Sequence, residues 1–563
     1  MKFVRQTSSS LQFSPGGAAM STVRSVTHDL LRRLGLTTFF GNPGSTEETF
    51  LKDFPADFTY HLALQEASAI AIADGYAQAT GKPAIVNVHT AAGLGNAMGN
   101  LITAFLNKTP LIVTAGQQTR EMLLMEPWLT NVDATMLPRP WVKWAYEPAR
   151  PEDVPAALMR AYATAVQAPA GPVFLSLPLD DWDKPLSGEA LLRTVGHRVA
   201  PDMERLKSFA DILSAASAPA LIFGAAIDRG NGWPAAVALA EKLGAAVYAA
   251  PASERTPFPE DHPLYVGGLP FAIGPLADRL KGHDVAIVIG APVFRYYPYV
   301  AGGYLPAGLT LLHISDDPAE TSRAPVGDSL VADAVLATAA LVDLVEKKER
   351  PARTIAPLAQ RMAPHPARHP DAAPGGKDGV PMAADVFAAL AEIRPDHAVL
   401  VEETPSNLAD LHRWWPITEP ASFFTFASGG LGWSLPASVG IALGERDTGR
   451  KRPVLMIVGD GSFQYSLQAL WTAVQNDLPM VFIVLRNGEY GILKSFAVLE
   501  ETPGVPGLDI PGIDIVSLAR GYGCDAERIS DLEALKARVT AGFAGNRPVV
   551  IEVPISPDIP PLI

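Results

Sequence analysis

Apolar residues in this chain come in short unbroken runs, several of which stop on a glycine, a proline or a polar residue. Runs of four to seven apolar residues without alternation predict strands buried on both faces, as in a parallel sheet. Thr38-Phe39-Phe40, Ala84 to Val88, Leu111 to Thr114 and Val173 to Leu177 form one such set. Helical spacing at Val26 to Leu34 and a small-residue stretch at Gln65 to Ala79 lie between them. A second set comprises Ala220 to Phe223, Ala245 to Tyr248, Val285 to Ile289 and Leu309 to Ile314. A third contains Val454 to Val458 and Met480 to Leu485. Strands alternating with helical segments predict an α/β protein with three doubly wound parallel-sheet domains. Their expected bounds are 20–199, 200–347 and 380–563. Residues 348–379, rich in Pro, Arg and Ala, read as a linker. Residues 1–19 read as a disordered extension, with Met20 a candidate natural start.

Composition narrows the function classes. The chain has 563 residues, 48% hydrophobic and 18% charged, which suits a large folded core. A formal charge of −14 argues against nucleic acid or an anionic membrane as partner. An anionic ligand would then be held by backbone N–H groups and a metal rather than by a basic patch. One cysteine, Cys524, excludes an internal disulfide or thiolate cluster and suits a reducing cytoplasm. No apolar run is long enough to span a membrane, and the first residues do not resemble a signal peptide.

The chemistry concentrates at strand ends. Val454 to Val458 runs into Gly459-Asp460-Gly461-Ser462, and Met480 to Leu485 into Arg486-Asn487-Gly488. Asp460 and Asn487 would present oxygens at the C-terminal edge of one sheet, where open α/β sheets bind ligands. A helix starting near Ser462 would aim free N–H groups at phosphate. One carboxylate and one amide oxygen, completed by phosphates, suit a hard cation, Mg²⁺ or Ca²⁺. Either cluster alone also reads as a turn after a strand. Metal phosphatases place Asp similarly but want more acidic ligands, and Glu489 is the one close candidate. Glu66, in an apolar stretch, reads either as a helix-start glutamate or as a carboxylate bonded to a cofactor ring nitrogen. Ser45 closes a Gly-Asn-Pro-Gly-Ser turn and reads as a helix cap or a catalytic hydroxyl. His89 ends a strand and reads as a partly buried imidazole or an acid/base group.

Together these residues resemble the thiamine diphosphate (ThDP)-dependent decarboxylase and carboligase superfamily, in particular its branch acting on benzoylformate. The resemblance runs from about residue 23 onward; Thr114-Ala115-Gly116-Gln117-Gln118-Thr119-Arg120 is more specific than the cofactor motif. It implies pyrimidine-binding, central and diphosphate-binding domains, and a site shared by two subunits, with a dimer as minimum and a tetramer usual. Glu66 resembles the activating glutamate, and Ser45 and His89 resemble groups that orient the substrate carboxylate and move protons. Gly429 would accept from the cofactor amino group, and Leu431 would prop the cofactor in its bent form. Asp460, Asn487 and the Glu489 carbonyl would bind metal; Gly461, Ser462, Thr404 and Tyr490 would contact the cofactor. Trp128, Leu129, Ile492, Leu493 and Phe496 would line the substrate pocket. The implied reaction is nonoxidative decarboxylation of an aromatic 2-oxo acid, benzoylformate, to benzaldehyde and CO₂. Tyr297 stands where the branch has a second histidine. A phenol donates a proton but is a poor base near neutrality, which leaves open a carboligase or lyase acting on 2-hydroxy ketones from aldehydes. Trp128 and Ile492 replace smaller residues and would reshape the pocket. An acetolactate-synthase-like role is a further alternative, without residues that point to flavin.

Overall fold

The computed structural model describes residues 21–348, 379–558 and 562. The predicted extension and nearly all of the predicted linker lie outside the described residues.

Three six-stranded sheets carry the fold, each from one stretch of chain. The first contains β1 (Thr38–Asn42), β2 (Thr59–Leu62), β3 (Ala84–Val88), β4 (Leu111–Gln117), β5 (Ala145–Tyr146) and β6 (Val173–Pro178). The second contains β7 (Pro219–Phe223), β8 (Ala246–Ala249), β9 (Tyr265–Gly268), β10 (Val285–Ile289), β11 (Thr310–Ser315) and β12 (Asp328–Val331). The third contains β13 (Val399–Glu403), β14 (Phe423–Phe424), β15 (Val454–Gly459), β16 (Met480–Arg486), β17 (Asp525–Arg528) and β18 (Val549–Pro554). Pairing within the sheets is parallel, as the unbroken apolar runs predict. β3, β4, β7, β10 and β13 are buried at every position.

The first sheet is ordered β2-β1-β3-β4-β6-β5 and the third β14-β13-β15-β16-β18-β17. These orders are the same, strand for strand. The two units face each other through equivalent helices, Glu66–Thr80 and Ser434–Asp447. Both helices are buried over most of their length, so no amphipathic face is left to mark them. Glycines set their spacing. A Cβ on Gly75 would come 2.1 Å from the Ala437 carbonyl oxygen, and one on Gly440 1.8 Å from that of Ile72. The small-residue stretch noted in the sequence is therefore a close helix crossing, and it joins the first and third units into one core.

The central sheet is ordered β12-β11-β10-β7-β8-β9, reversing direction between β7 and β10. Such a switch point can open a nucleotide crevice. Here Gly224 and Gly290 end those strands, but the protein's own ion pairs occupy the edge. Glu254 pairs with Arg229 and Arg295, each at 2.6 Å, and Lys108 of the first unit pairs with Glu320 at 2.9 Å. Burial alone would raise the Glu254 carboxyl, but the two guanidinium groups bring it down to about 2. This junction anchors Arg295, two residues before Tyr297.

Candidate active site

Parallel pairing of Gly459 with Leu485 makes Asp460 and Asn487 leave neighbouring strands side by side. Asp460 is buried at the start of a short helical turn, Asp460–Phe463. Its Oδ1 accepts from the Gly461 N–H at 2.9 Å and its Oδ2 from the Gly488 N–H at 2.8 Å. Burial pushes this carboxyl up, while the Gly488 and Gly461 amides pull it down. Asn487 Oδ1 accepts from the Glu489 N–H at 3.2 Å. Gly461 is required where it stands: a Cβ there would lie 2.5 Å from the Tyr490 ring. Asp460, Gly461, Ser462, Asn487, Glu489 and Tyr490 line one cavity together with Thr404, Leu431 and Ile492. Gly429 lies two residues from Leu431 in a turn, with φ of +73°.

The first unit holds a separate cluster. Glu66 is buried at the first position of its helix; its Oε1 accepts from Asn42 Nδ2 at 3.1 Å and its Oε2 from Asn96 Nδ2 at 3.0 Å. Gly93 makes room for it, since a Cβ there would stand 3.1 Å from Glu66 Oε1. Ser45 is exposed and does not cap the following helix, Glu48–Leu51, whose N-cap is Glu47.

His89 occupies the N-cap position of the Thr90–Leu106 helix without a side-chain cap bond, and its ring is held instead by a residue that the sequence pattern does not mark. Glu47, fully buried, lies with Oε2 2.8 Å from His89 Nδ1. The same carboxylate accepts from the N–H groups of Gly44 (2.9 Å) and Gly116 (2.6 Å) and from Thr46 Oγ1 (2.8 Å). With a carboxylate against Nδ1, the neutral imidazole carries its proton there and leaves Nε2 as acceptor. A Cβ on Gly44 would lie 2.1 Å from His89 Nδ1, so glycine lets the ring settle onto the turn. Thr90, next in the chain, has φ of +44°, a rare geometry for a β-branched residue that fixes the direction of the His89 backbone. The signal in the sequence was a glutamate three residues after the glycine of Asn-Pro-Gly, in a turn at a strand end.

The Glu66–His89 cluster and the Asp460 cavity are built from different units of the chain. No residue of the first unit lines the Asp460 cavity. Trp128 (93% exposed) and Leu129 lie on the first unit's surface, away from that cavity. Tyr297 is 67% exposed, and its ring stands 4.9 Å from that of Phe496 on the Gly491–Leu499 helix. Leu493, on the same helix, is also exposed.

Models of thiamine pyrophosphate enzyme domains match in three places: the N-terminal TPP binding domain at 21–136, the central domain at 206–341 and the C-terminal TPP binding domain at 406–553. Benzoylformate decarboxylase of Pseudomonas aeruginosa is 43% identical over 95% of this chain and 99% of that protein. The chain belongs to the thiamine pyrophosphate enzymes. Among solved structures, benzoylformate decarboxylase from Polynucleobacter necessarius superposes with a TM-score of 0.92 at 53% identity, covering 96% of this chain and all of that one. The thiamine diphosphate-dependent 4-hydroxybenzoylformate decarboxylase of Rhodococcus jostii RHA1 gives 0.90 at 40% identity, with the same coverage.

The cofactor of these enzymes is thiamine diphosphate, and the chain's own residues fit it. The Asp460 cavity is rimmed by glycines at 459, 461 and 491, which bring backbone close to a ligand. No group of three or more His, Cys, Asp or Glu suited to a metal occurs among the described residues. Asp460 and Asn487 offer one carboxylate and one amide oxygen side by side, a donor set that suits a hard cation shared with phosphate.

Proposed function

We propose that this chain catalyses nonoxidative decarboxylation of an aromatic 2-oxo acid, benzoylformate, to benzaldehyde and CO₂, with thiamine diphosphate and Mg²⁺ or Ca²⁺. The observation that carries the reading is the division of the machinery. A buried carboxylate between two asparagine amides and a glutamate-oriented histidine lie in one unit, and a glycine-rimmed cavity with Asp460 and Asn487 in another. Relatives named for benzoylformate and 4-hydroxybenzoylformate support the substrate class.

Bound thiamine diphosphate supplies a nucleophilic carbon and an electron sink. Asp460, Asn487 and the Glu489 carbonyl hold the cation; Gly461, Ser462, Thr404 and Tyr490 bind the cofactor. Gly429 and Leu431 fix its conformation. Glu66 bonds the pyrimidine nitrogen, its orientation set by Asn42 and Asn96. His89 Nε2 takes and returns protons on the substrate, and Ser45 positions the substrate carboxylate. Trp128, Leu129, Ile492, Leu493 and Phe496 close an apolar acyl pocket.

The site is completed by a second copy of the chain, which brings its Glu66 unit to this chain's Asp460 cavity; a dimer is the minimum and a tetramer the working assembly. Apolar side chains left open in one chain, Leu124 (96% exposed) and Trp128 among them, suit burial there. No helix among the described residues is long and apolar enough to cross a membrane. The single cysteine suits a reducing compartment, and we place the enzyme in the cytoplasm.

Reconstitution tests the reading. Protein stripped with a chelator should lose benzoylformate turnover and regain it only when thiamine diphosphate and Mg²⁺ are both added. Undiminished turnover after stripping would overturn it.

The second reading, carboligation, is favoured by Tyr297. A phenol is a weaker proton donor than an imidazolium and a poor base near neutrality, so it slows both return of a proton to the substrate carbon and the deprotonation that releases aldehyde, and leaves that carbon open to a second aldehyde. Tyr297→His should raise benzoylformate kcat by about tenfold and lower the yield of 2-hydroxy ketone from benzaldehyde. Chromatographic product analysis reads both, and an unchanged ratio would count against this role.

A further inference from the structure

The last strand residues of β13, Glu402 and Glu403, are two adjacent carboxylates buried at the foot of the Asp460 cavity's walls. Their hydrogen-bond partners are backbone and hydroxyl groups of two loops, and Glu402 also faces the His412 imidazole electrostatically. Glu402 Oε1 accepts from Thr404, both from its N–H and from Oγ1, the latter at 2.9 Å. Glu403 Oε1 accepts from the Gly432 N–H at 2.6 Å, and its Oε2 from the Ser434 N–H at 2.7 Å. Gly432 follows Leu431, and Ser434 opens the Ser434–Asp447 helix.

The Gly432 peptide is gripped from both sides. Its carbonyl accepts from Asn100 Nδ2 at 3.3 Å, and the same Nδ2 reaches the Ala67 carbonyl at 2.9 Å. Gly432 has φ of +99°, and a Cβ on it would lie 2.4 Å from Tyr465 Cβ. At the other end of the turn, Ser428 Oγ lies 2.8 Å from Thr103 Oγ1 and accepts from the Gly430 N–H at 3.0 Å. Between these anchors only Gly429, Gly430 and Leu431 remain, and Leu431 faces the cavity. The carboxylate is therefore the fixed point from which this turn projects.

We propose that Glu403 is a positioning residue for the cofactor: by holding the Gly432 and Ser434 amides it sets where Gly429 and Leu431 meet bound thiamine diphosphate. This rests on the proposed roles of Gly429 and Leu431. Two hydrogen bonds at a charged acceptor fix the turn more tightly than neutral ones would. Burial, with the neighbouring Glu402 carboxylate, pushes the Glu403 carboxyl up to about 7, against the pull of the Gly432 and Ser434 amides. Glutamine keeps the shape but turns an NH₂ donor toward one of two N–H groups, and leaves that pair opposed in a buried place.

The test is thiamine diphosphate affinity, read by quenching of tryptophan fluorescence with Mg²⁺ present at about pH 8, where the carboxylate form prevails. Glu403→Gln should weaken Kd about tenfold to a hundredfold, the usual effect of removing a group that orients a ligand's own contacts. At saturating cofactor, kcat should also fall, while KM for benzoylformate stays near that of the parent. Glu445→Gln serves as control. Glu445 is an equally buried carboxylate on the Ser434–Asp447 helix, paired with Arg450 and Arg452 at 2.7 Å each, away from the cavity. It should lower Tm without moving Kd. Glu403→Asp, which keeps the charge but withdraws it, should fall between parent and Glu403→Gln, and supplies the answer if the glutamine variant does not fold. An unchanged Kd in the Glu403 variants, or an equal change in Glu445→Gln, would overturn the positioning role. A parent protein that binds no thiamine diphosphate at all would instead overturn the functional reading beneath it.

Discussion

Replacing Glu66 with glutamine is expected to lower kcat on benzoylformate by about 10²–10⁴-fold, the range that a positioned proton-transfer group contributes. The fold should tolerate the change. Glutamine has the same shape, and the oxygen that it keeps can still accept from Asn42 or Asn96, the two amides that hold the carboxylate. What it loses is the charge that, in the proposed mechanism, would bind the pyrimidine nitrogen in its protonated form. KM should move little, because Glu66 lies outside the proposed acyl pocket. Steady-state rates at saturating thiamine diphosphate measure the effect, and turnover equal to the parent's would remove Glu66 from the mechanism.

Asp460→Asn is expected to fail earlier in the cycle. Asp460 supplies the one carboxylate among the proposed metal ligands, and its two oxygens also accept the Gly461 and Gly488 amides. An amide at this position cannot accept both N–H groups and lacks the charge that a divalent cation needs. Affinity for Mg²⁺ with thiamine diphosphate should fall more than about 100-fold, and activity should return only partly at high cofactor concentration. Calorimetric titration measures it. The two variants together also test the shared site. Dissociated, mixed and reassociated, Glu66→Gln and Asp460→Asn chains should recover activity, because one site of each hybrid dimer pairs a native Glu66 unit with a native Asp460 cavity. No recovery in verified hybrids would mean that each chain completes its own site.

The residues at strand ends were the legible ones. Asp460 and Asn487 follow strands whose apolar runs are buried almost throughout, so pattern and chemistry coincide there. The strands that the pattern missed include β5 and β14, two residues each, and the edge strands β9, β12 and β17 of four, too short to give a period. β13 was hidden for a different reason: its apolar run ends in two glutamates, which read as exposed until the loops that cover them are in place. Glu47 was missed because its partners, Gly116 and His89, are brought to it by strand pairing and not by sequence spacing. The Glu66–Thr80 helix was legible through its small residues, but not their purpose, which depends on Ala437 more than 300 residues later in the chain. The equal strand order of the first and third sheets left no short repeat in the sequence, since the shared feature is topology and not residue identity.

The molar ratio of free benzaldehyde to CO₂ released from benzoylformate by the purified protein, with thiamine diphosphate and Mg²⁺, decides between decarboxylation and carboligation. A nonoxidative decarboxylase built as described should release one benzaldehyde for each CO₂, with none of either in the absence of cofactor. CO₂ release without free benzaldehyde, or no consumption of benzoylformate alongside 2-hydroxy ketone formation from benzaldehyde, would contradict it.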